Sequence, residues 1–218
     1  MTHFIAYRGH CGTALAAMRR EYLSEIMKNA NDLSVTAGVL LRPPVTEADE
    51  ETWLERILKK SASEQVFAIL HTDTTDAGSE YRYVGHTGIH QIIYPERHGN
   101  TGSLLFEKGL HGKGCGTEAK LLLLHHAFHV KGLRKLSSEV KAFNANSLGH
   151  LLKCGYRIIG RRKQHRFHEG RYADEILLEV FRADFESIWE KYQKAKQIPK
   201  LTDKQRALVQ SETGMKEK

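Results

Sequence analysis

His111-Gly112-Lys113-Gly114-Cys115-Gly116-Thr117 places three glycines at alternate positions around one lysine. A short apolar run, Leu104-Leu105-Phe106, precedes it, and a stretch of helical character over 118–130 follows. A strand feeding a glycine loop that opens a helix is suited to holding phosphate. Glycine lets the backbone approach a ligand with its N–H groups turned inward. The helix start adds N–H groups without intrahelical acceptors and the positive end of a dipole. A nucleoside-triphosphate loop would need Gly-x-x-x-x-Gly-Lys-Ser/Thr, and here no Ser or Thr follows Lys113. A dinucleotide fingerprint would need Gly-x-Gly-x-x-Gly, a spacing that Gly112, Gly114 and Gly116 lack.

Other chemistry-bearing residues are ranked by the same reasoning. Lys113 either adds charge at the rim of the loop or is a solvated side chain. Thr117 is a helix cap or a hydroxyl to phosphate. Cys115 is read as a small side chain that fits the loop rather than as a nucleophile. His86 and His90 on one strand, and Glu107 at the end of another, are candidate proton acceptors, since histidine needs little adjustment for that task. His125 and His129 have the spacing of a metal pair, but no third ligand accompanies them on a Leu-rich helix, so no metal is expected.

The bulk properties are those of a soluble globular chain: 218 residues, 40% hydrophobic and 27% charged. No stretch approaches the length of a membrane span, and the N-terminus lacks the layout of a secretory signal. The cytoplasm is the expected location. Cys11, Cys115 and Cys154 form no CxxC pair, which argues against a disulfide framework. The net charge is +7, with a basic cluster at Arg161, Arg162, Lys163, Arg166 and Arg171. Nucleic acid or a polyanionic cofactor would suit that balance. No RNA-binding aromatic signature or zinc-finger spacing accompanies it, so a nucleic-acid partner is not expected.

Periodicity and turn signals set the elements that must position these residues. Strands are expected at 4–8, 66–71, 82–90, 101–107, 133–143, 156–162 and 175–181. Residues 91–94 continue the third of these or begin another. Helices are expected at 15–29, 46–59, 118–130, 146–153 and 184–197. Thr46 opens the second helix with a capping pattern, and Gly132 ends the third. Breaks are expected at Arg42-Pro43-Pro44, across 73–79, at His98-Gly99-Asn100 and at Glu169-Gly170. The tail at 200–218 is polar and expected to fray. The order of elements predicts a mixed α/β (α+β) sheet domain over 1–185, followed by a charged helix and flexible tail over 186–218.

Three ordered motifs resemble the GNAT superfamily of acetyl-coenzyme A-dependent N-acetyltransferases. The superfamily signature Gln/Arg-x-x-Gly-x-Gly/Ala falls on 111–116, with His111 in the Gln/Arg place. Asn144-Ala145-Asn146-Ser147 through Lys153-Cys154-Gly155-Tyr156 looks like its Asn-x-x-Ser … Lys-x-Gly-Phe segment, in the subgroup that acetylates ribosomal-protein N-termini and small amines. Gly170 and Asp174 match the hairpin that follows, and Gly85-His86-Thr87-Gly88 resembles the middle strand. The resemblance implies a twisted, mostly antiparallel sheet with a splayed central strand pair between 104–107 and 133–143. It implies acetyl-CoA as co-substrate. The pantetheine arm would pair with Leu105 and Glu107, the loop from His111 to Thr117 would wrap the diphosphate, and Asn144 and Ser147 would touch the arm. Catalytic roles would fall to Ser147 beside sulfur and to His86 or Glu107 as base, because the position of the superfamily's acidic tyrosine is Leu151. The acceptor would be a protein N-terminus, a lysine or a small amine, bound by a monomer or homodimer. A non-catalytic coenzyme-binding module and a basic RNA-associated protein are the alternatives.

Overall fold

Eight strands build one sheet in the computed structural model, which describes residues 3–39, 44–59, 61–74 and 80–214. The strands are β1 (Ile5–Arg8), β2 (Thr13–Ala17), β3 (Gln65–His71), β4 (Arg82–Ile93), β5 (His98–Leu105), β6 (Lys135–Lys141), β7 (Arg157–His168) and β8 (Arg171–Phe181). The helices are α1 (Leu23–Ala30), α2 (Leu33–Thr36), α3 (Glu47–Leu58), α4 (Cys115–His125), α5 (Ala145–Lys153), α6 (Arg182–Ala195) and α7 (Asp203–Thr213). A π-helical turn, His126–Val130, prolongs α4. The sheet order is β1-β2-β3-β4-β5-β6-β8-β7. Every neighbouring pair is antiparallel except β5 and β6. That parallel ladder pairs only His98–Asn100 with Lys135–Ser137. Past it the two strands part, so the sheet opens in its middle as expected.

Each face of the sheet carries its own core. Leu15, Ile69, Ile89, Leu136 and Val180 pack with α4, α5 and α6 on one side. Ala14, Ala16, Val66, Ala68 and Leu70 pack with Tyr22, Ile26 and Leu54 on the other. Helix α4 is apolar all round, from Ala119 to Leu124 apart from Lys120, which is why it lies buried in the larger core. Each leucine so buried contributes roughly 1.5–3 kcal/mol. Among the described residues no helix is long and apolar enough to cross a membrane.

Three expectations need correction. The segment 15–29 is not one helix: it holds β2, a short 3-10 turn (Arg20–Tyr22) and α1. Ala14, Leu15 and Ala16 form a strand buried on both faces between β1 and β3, so they lack the alternation that marks a half-buried strand. The turn expected at 98–100 is the start of β5; the chain reverses just before it, where Arg97 adopts a φ of 52°. The tail forms α7, opened by a capping box between Thr202 and Gln205. Its Leu208 and Val209 pack on the larger core. The expected break at Arg42 and Pro43, most of the turn at 73–79 and the last four residues of the tail lie outside the described residues. Thr46 and Asp49 form the expected box on α3, and Glu169-Gly170 makes the expected tight turn.

Candidate active site

The glycine loop is shaped by two left-handed residues, Gly112 with φ of 77° and Gly114 with φ of 97°. Gly114 is the N-cap of α4, and no side chain caps that helix. The first-turn N–H groups at Cys115, Gly116 and Thr117 therefore have no intrahelical acceptor. A Cβ built on Gly112 or Gly116 would meet nothing within 4 Å. The same atom on Gly114 would come within 2.8 Å of Ile198 Cγ1. The loop is thus open at its two outer glycines and backed by the C-terminal segment at the middle one. That cradle of free amides fits a diphosphate.

Side chains of the loop are arranged unequally. His111 and Lys113 are exposed, and the His111 ring donates from Nε2 to the Leu105 carbonyl at 3.0 Å. The carbonyl that would pair with a pantetheine arm is thereby engaged. Phe106 N–H is also engaged, by the Val84 carbonyl at 2.9 Å. Cys115 is buried, and burial pushes its thiol up to about 11. Thr117 is buried too, with its carbonyl facing the Cys154 thiol at 3.7 Å.

The gap between β5 and β6 opens on a cavity of about 820 Å³ that reaches both faces of the sheet. Its closed end is pinned where Thr101 Oγ1 donates to the Ser137 carbonyl at 3.3 Å and Ser138 Oγ donates to the Thr101 carbonyl at 3.2 Å. Tyr156 supports Thr101 with a 2.7 Å hydrogen bond. On the α3 side the wall holds Glu50, Trp53, His86 and Phe106. On the α4 and α5 side it holds Lys120, Ser147, His150 and Leu151.

The residues singled out from the sequence separate in space. His86 and Ser147 both line the cavity. Tyr83 donates to His86 Nδ1 at 3.2 Å, and the ring lies against Trp53 and Phe106. Burial, with His90 adding to it, pulls His86 down to about 4, so the imidazole is neutral. Glu107 does not line the cavity. Two 3.0 Å hydrogen bonds from Arg82 hold it, and they keep its carboxyl below the ordinary range. Asn144 caps α5 by accepting from Ser147 N–H at 3.0 Å and is likewise outside the cavity wall. His126 bridges strands, accepting from the Tyr7 hydroxyl at 2.7 Å and donating to Gln65 at 3.0 Å. His125 stacks on Trp189, and His129 meets Glu186.

Two wall residues escaped the sequence reading. Glu50 is 7% exposed, and its carboxylate has no hydrogen bond or ion pair among the described residues. Burial, helped by Asp49, pushes its carboxyl up. Lys120 is 1% exposed and equally without a partner. Burial draws its ammonium down to about 8. Both were detectable by pattern. Glu50 falls three and four residues before Trp53 and Leu54, on the inward stripe of α3. Lys120 interrupts a run that is apolar all round, where every position must be buried.

The sequence profile of the acetyltransferase (GNAT) domain matches residues 14–157. No curated protein sequence matches the chain. Among solved structures, spermidine N-acetyltransferase from Vibrio cholerae in complex with CoA and spermine superposes with a TM-score of 0.69 at 19% identity, over 80% of this chain and 98% of that one. Mycobacterium smegmatis RimJ in complex with CoA-disulfide gives 0.72 at 16% identity, over 89% and 94%. A GCN5-related N-acetyltransferase from Brucella melitensis gives 0.68 at 21% identity, over 88% and 85%. These likenesses concern the fold. The domain match spans the glycine loop, the parted strands and both walls of the cavity, and on that match the chain belongs to the GNAT acetyltransferase family.

Proposed function

We propose that the chain transfers an acetyl group from acetyl-CoA to a primary amine. One observation carries the reading: a cavity that runs through the opened sheet, with the free-amide loop joined to the end of β5 through His111 and, on the α3 wall, a carboxylate, Glu50, that has no partner among the described residues. Bound coenzyme would supply an activated acyl thioester. Gly112 and the N–H groups of Cys115–Thr117 would hold its diphosphate, with Lys113 at the rim. The open edge of β5 would carry its arm, and Ser147 would stand beside its sulfur.

The acceptor would enter from the α3 side, past Trp53. Glu50 would pair with its ammonium and accept the proton, because a carboxyl pushed up by burial is better matched to an amine than an ordinary one. His86, neutral and packed among aromatic rings, would shape that wall. The CoA-bound neighbour named a spermidine N-acetyltransferase, with spermine in its structure, supports amines as the acceptor class. A coenzyme-binding module without turnover is the second reading. Leu151 favours it, since no hydroxyl stands there to protonate a leaving thiolate.

Calorimetry with acetyl-CoA, followed by an acetyl-transfer screen over polyamines and N-terminal peptides, tests both readings. Binding with turnover of at least one amine is expected. Binding without turnover of any acceptor favours the module, and no binding removes both.

A further inference from the structure

Lys120 is a cation with no anionic partner among the described residues. It sits on α4 between Ala119 and Leu121, both fully buried, and its side chain reaches the cavity. The described groups that interact with it leave it uncompensated. On α5, His150 has no partner for Nε2, and burial beside Lys120 keeps that ring neutral, drawn down to about 3. The Cys154 thiol is pushed up to about 12 by burial, so it carries no negative charge. On β4, the His90 ring donates to Glu64 at 2.5 Å, and Glu64 is also paired with Arg56. Glu139 and Glu175 also line the cavity, and Arg162 and Arg166 hold both of them, while Glu50 and Asp49 stand on the α3 wall. A buried ammonium in this state is poorly stabilised by its surroundings, and an anion placed against it would complete the site.

The position of that anion follows from the shape of the gap. The glycine loop stands at the open end, where β5 finishes at Leu105. The strands close at Asn100 and Ser137, with Thr101 and Ser138 bridging them. An elongated ligand whose phosphates rest on the loop therefore has its far end directed to the closed part of the cavity. Lys120 and His150 line the same cavity as Thr101 and Ser138, and the two bases lie close enough to interact. A bare methyl group would leave the ammonium there without a partner.

We infer that Lys120, with His150 beside it, forms a subsite for a carboxylate at the far end of a longer acyl group, so that besides acetyl-CoA the gap takes, and binds more tightly, a dicarboxylic acyl thioester of the succinyl or glutaryl class. This rests on the reading that a coenzyme A thioester lies in the gap. A charge-assisted hydrogen bond to a desolvated ammonium is strong enough to set such a preference.

The test is calorimetric titration of the intact chain with acetyl-CoA and with succinyl-CoA, without any acceptor. Succinyl-CoA is expected to bind about tenfold tighter or more. Lys120→Met is expected to remove that preference, and Lys120→Arg to keep a preference for the acidic acyl group. Equal affinity of the unaltered chain for the two thioesters overturns the carboxylate subsite while leaving the coenzyme reading intact. A preference for succinyl-CoA that survives in Lys120→Met also overturns the assignment. Failure of both thioesters to bind removes the subsite and the coenzyme reading together.

Discussion

Glu50 and Lys120 carry opposite charges on opposite walls of one cavity, and neither is neutralised by a partner among the described residues. If Glu50 takes the proton, Glu50→Gln should lower kcat by about a hundredfold or more while acetyl-CoA affinity stays the same. Steady-state kinetics beside calorimetry checks this, and unchanged kcat would remove Glu50 from the chemistry. Lys120 makes the reverse statement about stability. Its folded value of about 8 lies below the ordinary 10.5. Between those values the unfolded chain binds the extra proton, so this site adds stability as pH rises through the window. At neutral pH, Lys120→Met should therefore stabilise the ligand-free protein by about 1–3 kcal/mol in denaturant unfolding; a loss of stability would show that the ammonium is already satisfied. Neither role was legible residue by residue, because Glu and Lys are ordinarily solvated. Only the apolar periods around them, Trp53-Leu54 on α3 and Leu121 to Leu124 on α4, mark them as buried. Glu107 illustrates the converse. It ends the expected strand, but Arg82, at the start of the neighbouring strand β4, claims its carboxylate.

At the scale of elements, the glycine loop and the start of α4 were readable because alternating glycines before an apolar helix have few other physical uses. The open outer glycines now give a clean probe. Gly116 lies in the first turn with nothing near its absent Cβ, whereas Gly114 is left-handed and abuts Ile198. Gly116→Glu adds an acid at a helix N-terminus, which should leave stability the same or raise it by about 0.3–1 kcal/mol. The same charge in the cradle should weaken acetyl-CoA binding by about tenfold or more. Unfolding curves and titrations of this one variant separate the two effects, and unaltered affinity would take the diphosphate off the loop. Strand β2 was misread for a reason that also lies at this scale. Its apolar run is buried on both faces, and a run without alternation has no period to distinguish strand from helix. The α7 cap at Thr202 and Gln205 was present in the sequence, but the helix holds through Leu208 and Val209 against the core, contacts that no local pattern announces.

The whole molecule buries several neutral histidines. His86 and His126 are drawn to about 4 and His150 to about 3, each mainly by burial. Their ordinary value is 6.5. Between these limits the unfolded chain binds protons that the folded chain does not, so stability must fall as pH drops from 6.5 toward 4. Each site can contribute up to about 1.4 kcal/mol per pH unit in that window. Urea midpoints measured across it should decline steadily, and a flat profile would mean that these rings are protonated in the fold. The sheet order and its opening also belong to this scale: three ordered motifs anticipated the parting of β5 from β6, while the cavity that joins the two faces arises only when both walls are assembled. The most direct test of the account is a structure of the chain with coenzyme A. The diphosphate should lie against the N–H groups of Cys115–Thr117, with the thiol in the gap between β5 and β6. A coenzyme bound elsewhere, with that gap empty, would contradict it.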